Sequence, residues 1–310
     1  MEIREYDSSY DLLNQHLSTE NKIYGIKRFK PIFLRFENEF IQIIKQKWKF
    51  SDNFFKDHVV YFAFHKPIRN RYNNTNTYAI NCNYQPFGTT YYHVLTEVLP
   101  NALFLSNIVD NKEMPILVPE SKFIKNIFAW FNIKNPVIFK LDDNYNYNFL
   151  KQQTTECGFP SPQKILSLRN IINKKVEYKK EIGVYIYRKE NWRQIKNSDE
   201  VFNFIKKHFN TIEWVLFNEQ NLVDTIDIFS RAKIIIGPHG AGLTNMIFSP
   251  KNITIIEIMP IQESNMCYWH QSCILENKHL IYPESYISPS DRNFNINLDE
   301  LKKAFKSFTF

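Results

Sequence analysis

Four apolar runs constrain this chain more than anything else in it: EIGVYIYR (181–188), TIEWVLF (211–217), KIIIG (233–237) and NITIIEIM (252–259). Between them lie DEVFNFIKKHF (199–209) and NEQNLVDTIDIFSRA (218–232), apolar at helical spacing, and GLTNMIF (242–248), which opens a third helix. Strands that alternate with helices pair in parallel, because each helix carries the chain back to the start of the next strand. The second half therefore predicts a doubly wound parallel sheet.

The first half alternates as well. KPIFLRF (30–36), HVVYFAF (58–64), MPILVPE (114–120) and NPVIFKL (135–141) read as strands. YYHVLTEVLPNALFLSNI (91–108), SKFIKNIFAWFNI (121–133) and KILSLRNIINKK (164–175) read as helices. ENEFIQIIKQKW (37–48) suits either an amphipathic helix or a continued strand. Pro100 is expected to kink or break the helix around it, and Ser121 to cap the next one. RNRYNNTNT (69–77) and DDNYNYNFLKQQTTECGFPSPQ (142–163) read as loop and irregular chain. The expectation is two α/β domains, residues 1–175 and 176–310, with a terminal amphipathic helix at 298–308.

Composition removes several classes. No stretch of about 18 apolar residues exists, so no transmembrane helix is expected. The opening MEIREYDSSYDLLNQH lacks a basic segment followed by an apolar one, against a secretory signal. The four scattered cysteines, Cys82, Cys157, Cys267 and Cys273, read as reduced thiols, so a cytoplasmic location is expected. A formal charge of +7 favours anionic partners. Yet no Lys/Arg run exceeds two residues and no nucleic-acid motif is visible, so nucleic acid is not an expected partner.

Three of the seven glycines, Gly237, Gly240 and Gly242, follow the run Ile234–Ile236 directly. Glycine there permits a sharp strand-to-helix turn and lets a ligand approach the backbone. N–H groups at a helix start attract phosphate, and in parallel sheets ligands bind at the carboxyl ends of the strands. The spacing GxxGxG is neither the dinucleotide order nor a P-loop. Two readings of His239 stand: a donor to a phosphate or sugar, or a turn histidine bonded to backbone. Glu257, flanked by Ile255, Ile256, Ile258 and Met259, is either an acceptor for ribose hydroxyls or a strand-end carboxylate.

GPHGAGLTNMIF followed by IIEIMP resembles the signature of glycosyltransferase family 61. VYIYRKENWRQIKNSDEVFNFIKKHF is similar to that family's strand–Arg–loop–Arg–helix segment, with Arg188, Arg193 and Asn197 at the matching places, and YYHVLTEVLPNALFL to its His-x-x-x-Glu-x-x-Pro segment. The likeness covers roughly 180–260 well and 88–110 moderately. One departure is the strand end, Tyr187-Arg188, where the family has Ser-Arg.

The resemblance implies an inverting glycosyltransferase of GT-B type, two Rossmann-like domains facing across a cleft. The donor would be a nucleotide sugar, UDP-linked with xylose or N-acetylglucosamine as examples. The acceptor would be a hydroxyl of a glycan, a lipid-linked glycan or a glycoprotein. It implies donor contacts at Arg188, Arg193, His239, Gly240, Ala241, Gly242, Leu243, Thr244, Asn245 and Glu257. Arginine's planar fork suits a diphosphate, although an ion pair of either arginine with Glu190 or Glu200 is the plainer alternative. His93 and Glu97 share a helix face at i, i+4 and are expected as the catalytic pair, with the base left open between them. A rigidifying polar pair or half a metal site are the rivals.

No metal or other cofactor is expected, and Asp142-Asp143 reads as a turn. The terminal helix either touches a membrane-borne acceptor or packs back on the N-terminal domain. Two other classes stay in play. One is a nucleotide-dependent oxidoreductase with Glu257 on the ribose. The other is a non-catalytic glycan-binding protein using Tyr91, Tyr92, Trp192 and Trp269.

Overall fold

The structure is a computed structural model that describes residues 76–83, 89–109, 111–121, 123–142, 146–153, 160, 162–189, 192–260, 265–285, 287 and 292–306, with the strand segments 3–5, 32–33, 49–51 and 61–68. It divides into two compact units: Met1–Asp52 with Ile172–Phe310, and Asn53–Ile171. Where the sequence groups 1–175 together, the fold places 1–52 with the second half.

In the first-named unit, β1 (Ile3–Glu5) pairs antiparallel with β3 (Lys49–Ser51), while β2 (Ile32–Phe33) joins the large sheet. The remaining elements are β9 (Ile182–Ile186), α5 (Ser198–His208), β10 (Glu213–Phe217), α6 (Leu222–Ser230), β11 (Ala232–Pro238), a 3₁₀ helix (Ala241–Phe248), β12 (Thr254–Pro260), α7 (Cys267–Ile274), β13 (Lys278–Glu284) and α8 (Leu298–Lys306). The six strands run parallel in the order β10-β9-β11-β12-β13-β2. This is the doubly wound sheet expected. The chain moves from β9 to β10, then returns to the other side of β9 for β11, so the winding reverses between β9 and β11.

Both sheet faces are covered. Tyr185, Ile234, Ile236, Ile256, Ile258, Leu280 and Tyr282 point to one face, where they meet Val201 and Ile205 of α5 and Leu301 and Phe305 of α8. The terminal helix packs on its own unit, where its Leu301/Ala304/Phe305 stripe completes that core. The 3₁₀ helix replaces the α-helix expected at 242–248. A rise of about 2.0 Å per residue carries its eight residues roughly 16 Å back along the sheet, against about 12 Å for an α-helix. The sequence reading also missed α7 and β13.

In the second unit, β4 (Tyr61–Ile68), β5 (Asn76–Asn81), β6 (Ile116–Leu117), β7 (Val137–Ile138) and β8 (Asn146–Gln153) order as β4-β8-β5-β6-β7, antiparallel only between β4 and β8. Strand β8 corrects the irregular chain expected at 142–163. NYNFLKQQ has weak strand propensity, but pairing on both sides satisfies its backbone. Its helices are α1 (Tyr91–His93), α2 (Leu99–Ile108), α3 (Ile124–Trp130) and α4 (Pro162–Asn173), the last crossing the unit boundary.

Pro100 neither breaks nor ends the helix 91–108. A π-helical turn, Val94–Val98, joins α1 to α2, with the Leu99 N–H donating to Val94 O. The wider turn accommodates a proline that lacks an N–H and crowds the carbonyl four residues back. Ser121 does not cap α3, which starts after Phe123 without a side-chain cap. The readings at 37–48, 58–60 and 69–75 lie outside the described residues, as does Cys157. Cys82, Cys267 and Cys273 are buried free thiols, and burial pushes Cys82 up to about 12.

Candidate active site

The winding reversal between β9 and β11 puts two loops side by side at the strands' carboxyl ends, the place where such sheets bind ligands. Arg188 lies two residues beyond β9, and Gly240 two residues beyond β11. A side chain on Gly240 would collide with Arg188 Nη1, so the guanidinium rests against the glycine backbone. Gly237 and Gly242 serve the fold instead: a Cβ there would lie 2.7 Å from Ile186 Cβ and 2.9 Å from Ile186 Cγ2. The glycine concentration therefore has two causes, the packing of Ile186 and the seat of one arginine.

Arg193 adopts φ 55°, in the left-handed region that a non-glycine side chain enters at a cost. Its Nε is buried and has no hydrogen-bond partner among the described residues. The loop is tied down on its far side. The Gln194 N–H donates to Asn293 Oδ1 at 2.8 Å, and Ile195 bridges Phe294. Asn197 clamps Ile296 reciprocally: its Nδ2 donates to Ile296 O and its Oδ1 accepts from Ile296 N, both at 2.9 Å. Asn197 thus positions the Arg193 loop.

His239 and Glu257 are brought together, which their spacing does not announce. Glu257 sits at 0% exposure on the sheet face opposite Ile256 and Ile258. His239 Nδ1 meets its Oε1 in a very short hydrogen bond, and His279 Nε2 meets its Oε2 at 2.8 Å. Ser272 Oγ closes the chain on His279 Nδ1 at 2.7 Å. Each carboxylate oxygen of Glu257 thus accepts from one imidazole. Burial alone would raise the Glu257 carboxyl; the charges and hydrogen bonds of His239 and His279 outweigh it and hold it down at about 2.

Tyr268 packs edge-on to His239, with centroids 5.0 Å apart. Burial pushes its hydroxyl well above the usual range, the charges of Cys267 and Glu257 push the same way, and Arg193 and Arg188 oppose them. Both arginines therefore act on the side chain that flanks His239. Sequence reasoning missed Tyr268, Ser272 and His279, which sit on α7 and β13. No local pattern marks them; only the register of β12 against β13 does, through Ile255↔His279.

The rest of the expected loop is buried. Leu243 and Thr244 are at 0% and Asn245 at 2%, leaving Ala241 and Gly242 half-buried. The Leu243 N–H closes the first 3₁₀ turn on Gly240 O, and Thr244 O accepts from Gln271 Nε2. These residues support the loop from within.

In the other unit, β5 is the strand at which the winding reverses, between β8 and β6, and the helix that follows carries His93. His93 Nδ1 lies 2.7 Å from Glu97 Oε1, with Glu97 buried in the π turn and His93 at 15% exposure. π turns recur at functional sites. Each unit thus holds a histidine whose Nδ1 faces a buried glutamate. Among the described residues no group of three or more His, Cys, Asp or Glu is arranged for a metal, and no helix is long and apolar enough to cross a membrane. The Asp142 N–H donates to Tyr147 Oη, and Asp143 lies outside the described residues.

Comparison with known proteins gives two findings. The family model for Glycosyltransferase 61 matches residues 91–256, more than half of the chain. An EGF domain-specific O-linked N-acetylglucosamine transferase of Drosophila melanogaster is 27% identical over 108 residues, covering 32% of this chain and 21% of that protein. The Mus musculus protein of the same name is 27% identical over 128 residues, covering 40% of this chain and 24% of its own length. The match spans less than a quarter of these relatives.

Proposed function

The chain belongs to glycosyltransferase family 61, and on that premise we propose that it transfers N-acetylglucosamine from a UDP-linked donor to a hydroxyl of a glycoprotein, with inversion. The observation that carries this reading is the seat of Arg188 against Gly240, beside His239, where the parallel sheet reverses its winding. A cation held there by glycine packing suits a diphosphate, and Arg193, strained and with an unused buried Nε, supplies a second one. The choice of sugar and of a glycoprotein acceptor rests on the relatives' names.

Inversion is one in-line displacement. The acceptor oxygen bonds the anomeric carbon as that carbon's bond to the diphosphate oxygen breaks, and the electron pair leaves with UDP. His93 takes the acceptor's proton on Nε2, while Glu97 holds Nδ1. Arg188 and Arg193 offset the charge that develops on the diphosphate. The reading implies a GT-B arrangement, with the donor on the sheet of β9–β13 and the acceptor served by the unit carrying His93. The two guanidinium groups manage the diphosphate, so no divalent metal takes part.

A thermal-shift panel tests this with UDP, GDP, CMP, NAD and FAD, each with and without EDTA. A ligand that binds only the folded state raises the melting temperature. A UDP shift that survives EDTA, followed by transfer from UDP-N-acetylglucosamine to an EGF-like acceptor, is the expected result. A shift with NAD or FAD alone would overturn the reading.

A further inference from the structure

Of the buried polar clusters, the four-residue chain His239–Glu257–His279–Ser272 is the one that the displacement just described leaves unused. It runs from the donor loop into the core: His239 follows β11, Glu257 lies in β12, His279 in β13 and Ser272 on α7. All four side chains are buried, at 4%, 0%, 5% and 0% exposure. Burying that many polar groups is costly unless every one is used.

The hydrogen bonds fix the protons. An ionised Glu257 only accepts, so Nδ1 of His239 and Nε2 of His279 must both carry hydrogen. His239 is then left with Nε2 alone for a ligand. Its surroundings are one anion, Glu257, two cations, Arg188 and Arg193, and the side chain of Tyr268, with Cys267 beside it. His279 stands one residue further from the ligand and meets Ser272, whose Oγ also reaches Met246 Sδ at 3.2 Å.

We propose that Glu257, His279 and Ser272 are positioning residues that lock His239 with Nδ1 protonated, so that Nε2 takes up a proton and donates it in a hydrogen bond to the diphosphate of the bound nucleotide. The inference rests on the donor reading above. An incoming diphosphate brings negative charge against an imidazole already backed by a carboxylate, and imidazolium formation satisfies both. His239 then faces the diphosphate as a third cationic group beside Arg188 and Arg193. No bond to carbon or phosphorus is made by it, and the proton comes from solvent.

Nitrogen-15 NMR of histidine-labelled full chain is the test, with His239→Gln identifying the signal among eight histidines. In the free protein the expected His239 spectrum has Nδ1 protonated; a neutral ring protonated at Nε2 would overturn the proposal without any substitution at Glu257. Titration with UDP is expected to shift His239 Nε2 to the protonated position. Calorimetry in buffers of different ionisation enthalpy should then show proton uptake on binding. Glu257→Gln is expected to abolish the uptake and weaken UDP roughly 10- to 100-fold, as for loss of a charged hydrogen bond. Ser272→Ala, milder than Glu257→Gln, should reduce the uptake in a protein that still melts cooperatively. UDP that binds while His239 stays unmoved overturns the proposal and leaves the transferase reading intact. Failure of UDP to bind at all overturns both.

Discussion

On the proposed donor reading, replacing Gly240 by alanine separates nucleotide binding from the fold. The backbone at Gly240 is extended, so alanine adopts it without strain. The added Cβ meets Arg188 Nη1, the far end of a flexible side chain, which swings away. The loss is then a charged hydrogen bond to the diphosphate, about 1.5–3 kcal/mol, or roughly a 10- to 150-fold weaker UDP complex. Stability should change by less than about 0.5 kcal/mol. Gly237→Ala is the control. Its Cβ meets Ile186 Cβ at 2.7 Å, an atom one bond from the backbone that cannot swing. Overpacking of that kind costs about 1–3 kcal/mol, a fall of roughly 2–12 °C in Tm for a unit of this size. Isothermal titration with UDP and a thermal melt read the two effects separately. UDP affinity unchanged in Gly240→Ala, or a melt lowered as far as in Gly237→Ala, would refute the assignment of Arg188.

Three further outcomes follow from the same geometry. Arg193→Gly relieves the left-handed φ, so it should melt no lower than the wild type while its UDP-induced thermal shift disappears. Glu257 is held down at about 2 from an ordinary 4.5, so its contribution to stability is complete above about 4.5 and is lost as pH falls towards 2; the wild type's advantage over Glu257→Gln in urea denaturation should shrink across that window and stay constant above it. His93→Ala should lower kcat by about 10²–10⁴-fold while UDP affinity stays within twofold, and a matching loss of affinity would move His93 out of the base role.

How much of this was legible depends on where the information lies. The parallel sheet was readable because Ile234–Ile236 is apolar without a break, Ile255–Ile256 and Ile258–Met259 repeat that character, and helical spacing separates the runs. The glycines announced a close approach, but what approaches, Ile186 and Arg188, comes from a strand some fifty residues earlier. Strand β8 was not readable: its asparagines and glutamines suit a turn, and its strand state comes from the neighbours on either side. The partnership of Glu257 with His239 and His279 is equally non-local. It depends on β12 lying between β11 and β13, so that residues 18 and 22 positions away in sequence reach one carboxylate. The family's motif named His239, and the fold supplied what stands behind it.

Strand β2 adds a constraint on how the molecule is made. Ile32 and Phe33 pair with Leu280 and Ile281, about 250 residues later, and the whole unit Asn53–Ile171 is inserted between. At a synthesis rate of about 5–20 residues per second, the early strand waits roughly 12–50 s for its partner to leave the ribosome. The inserted unit can close on itself meanwhile, whereas the larger unit cannot complete its sheet edge until Leu280 and Ile281 have been made. Until then the segment Ile32–Phe33 lacks its sheet partner and stays open to any neighbouring nascent chain.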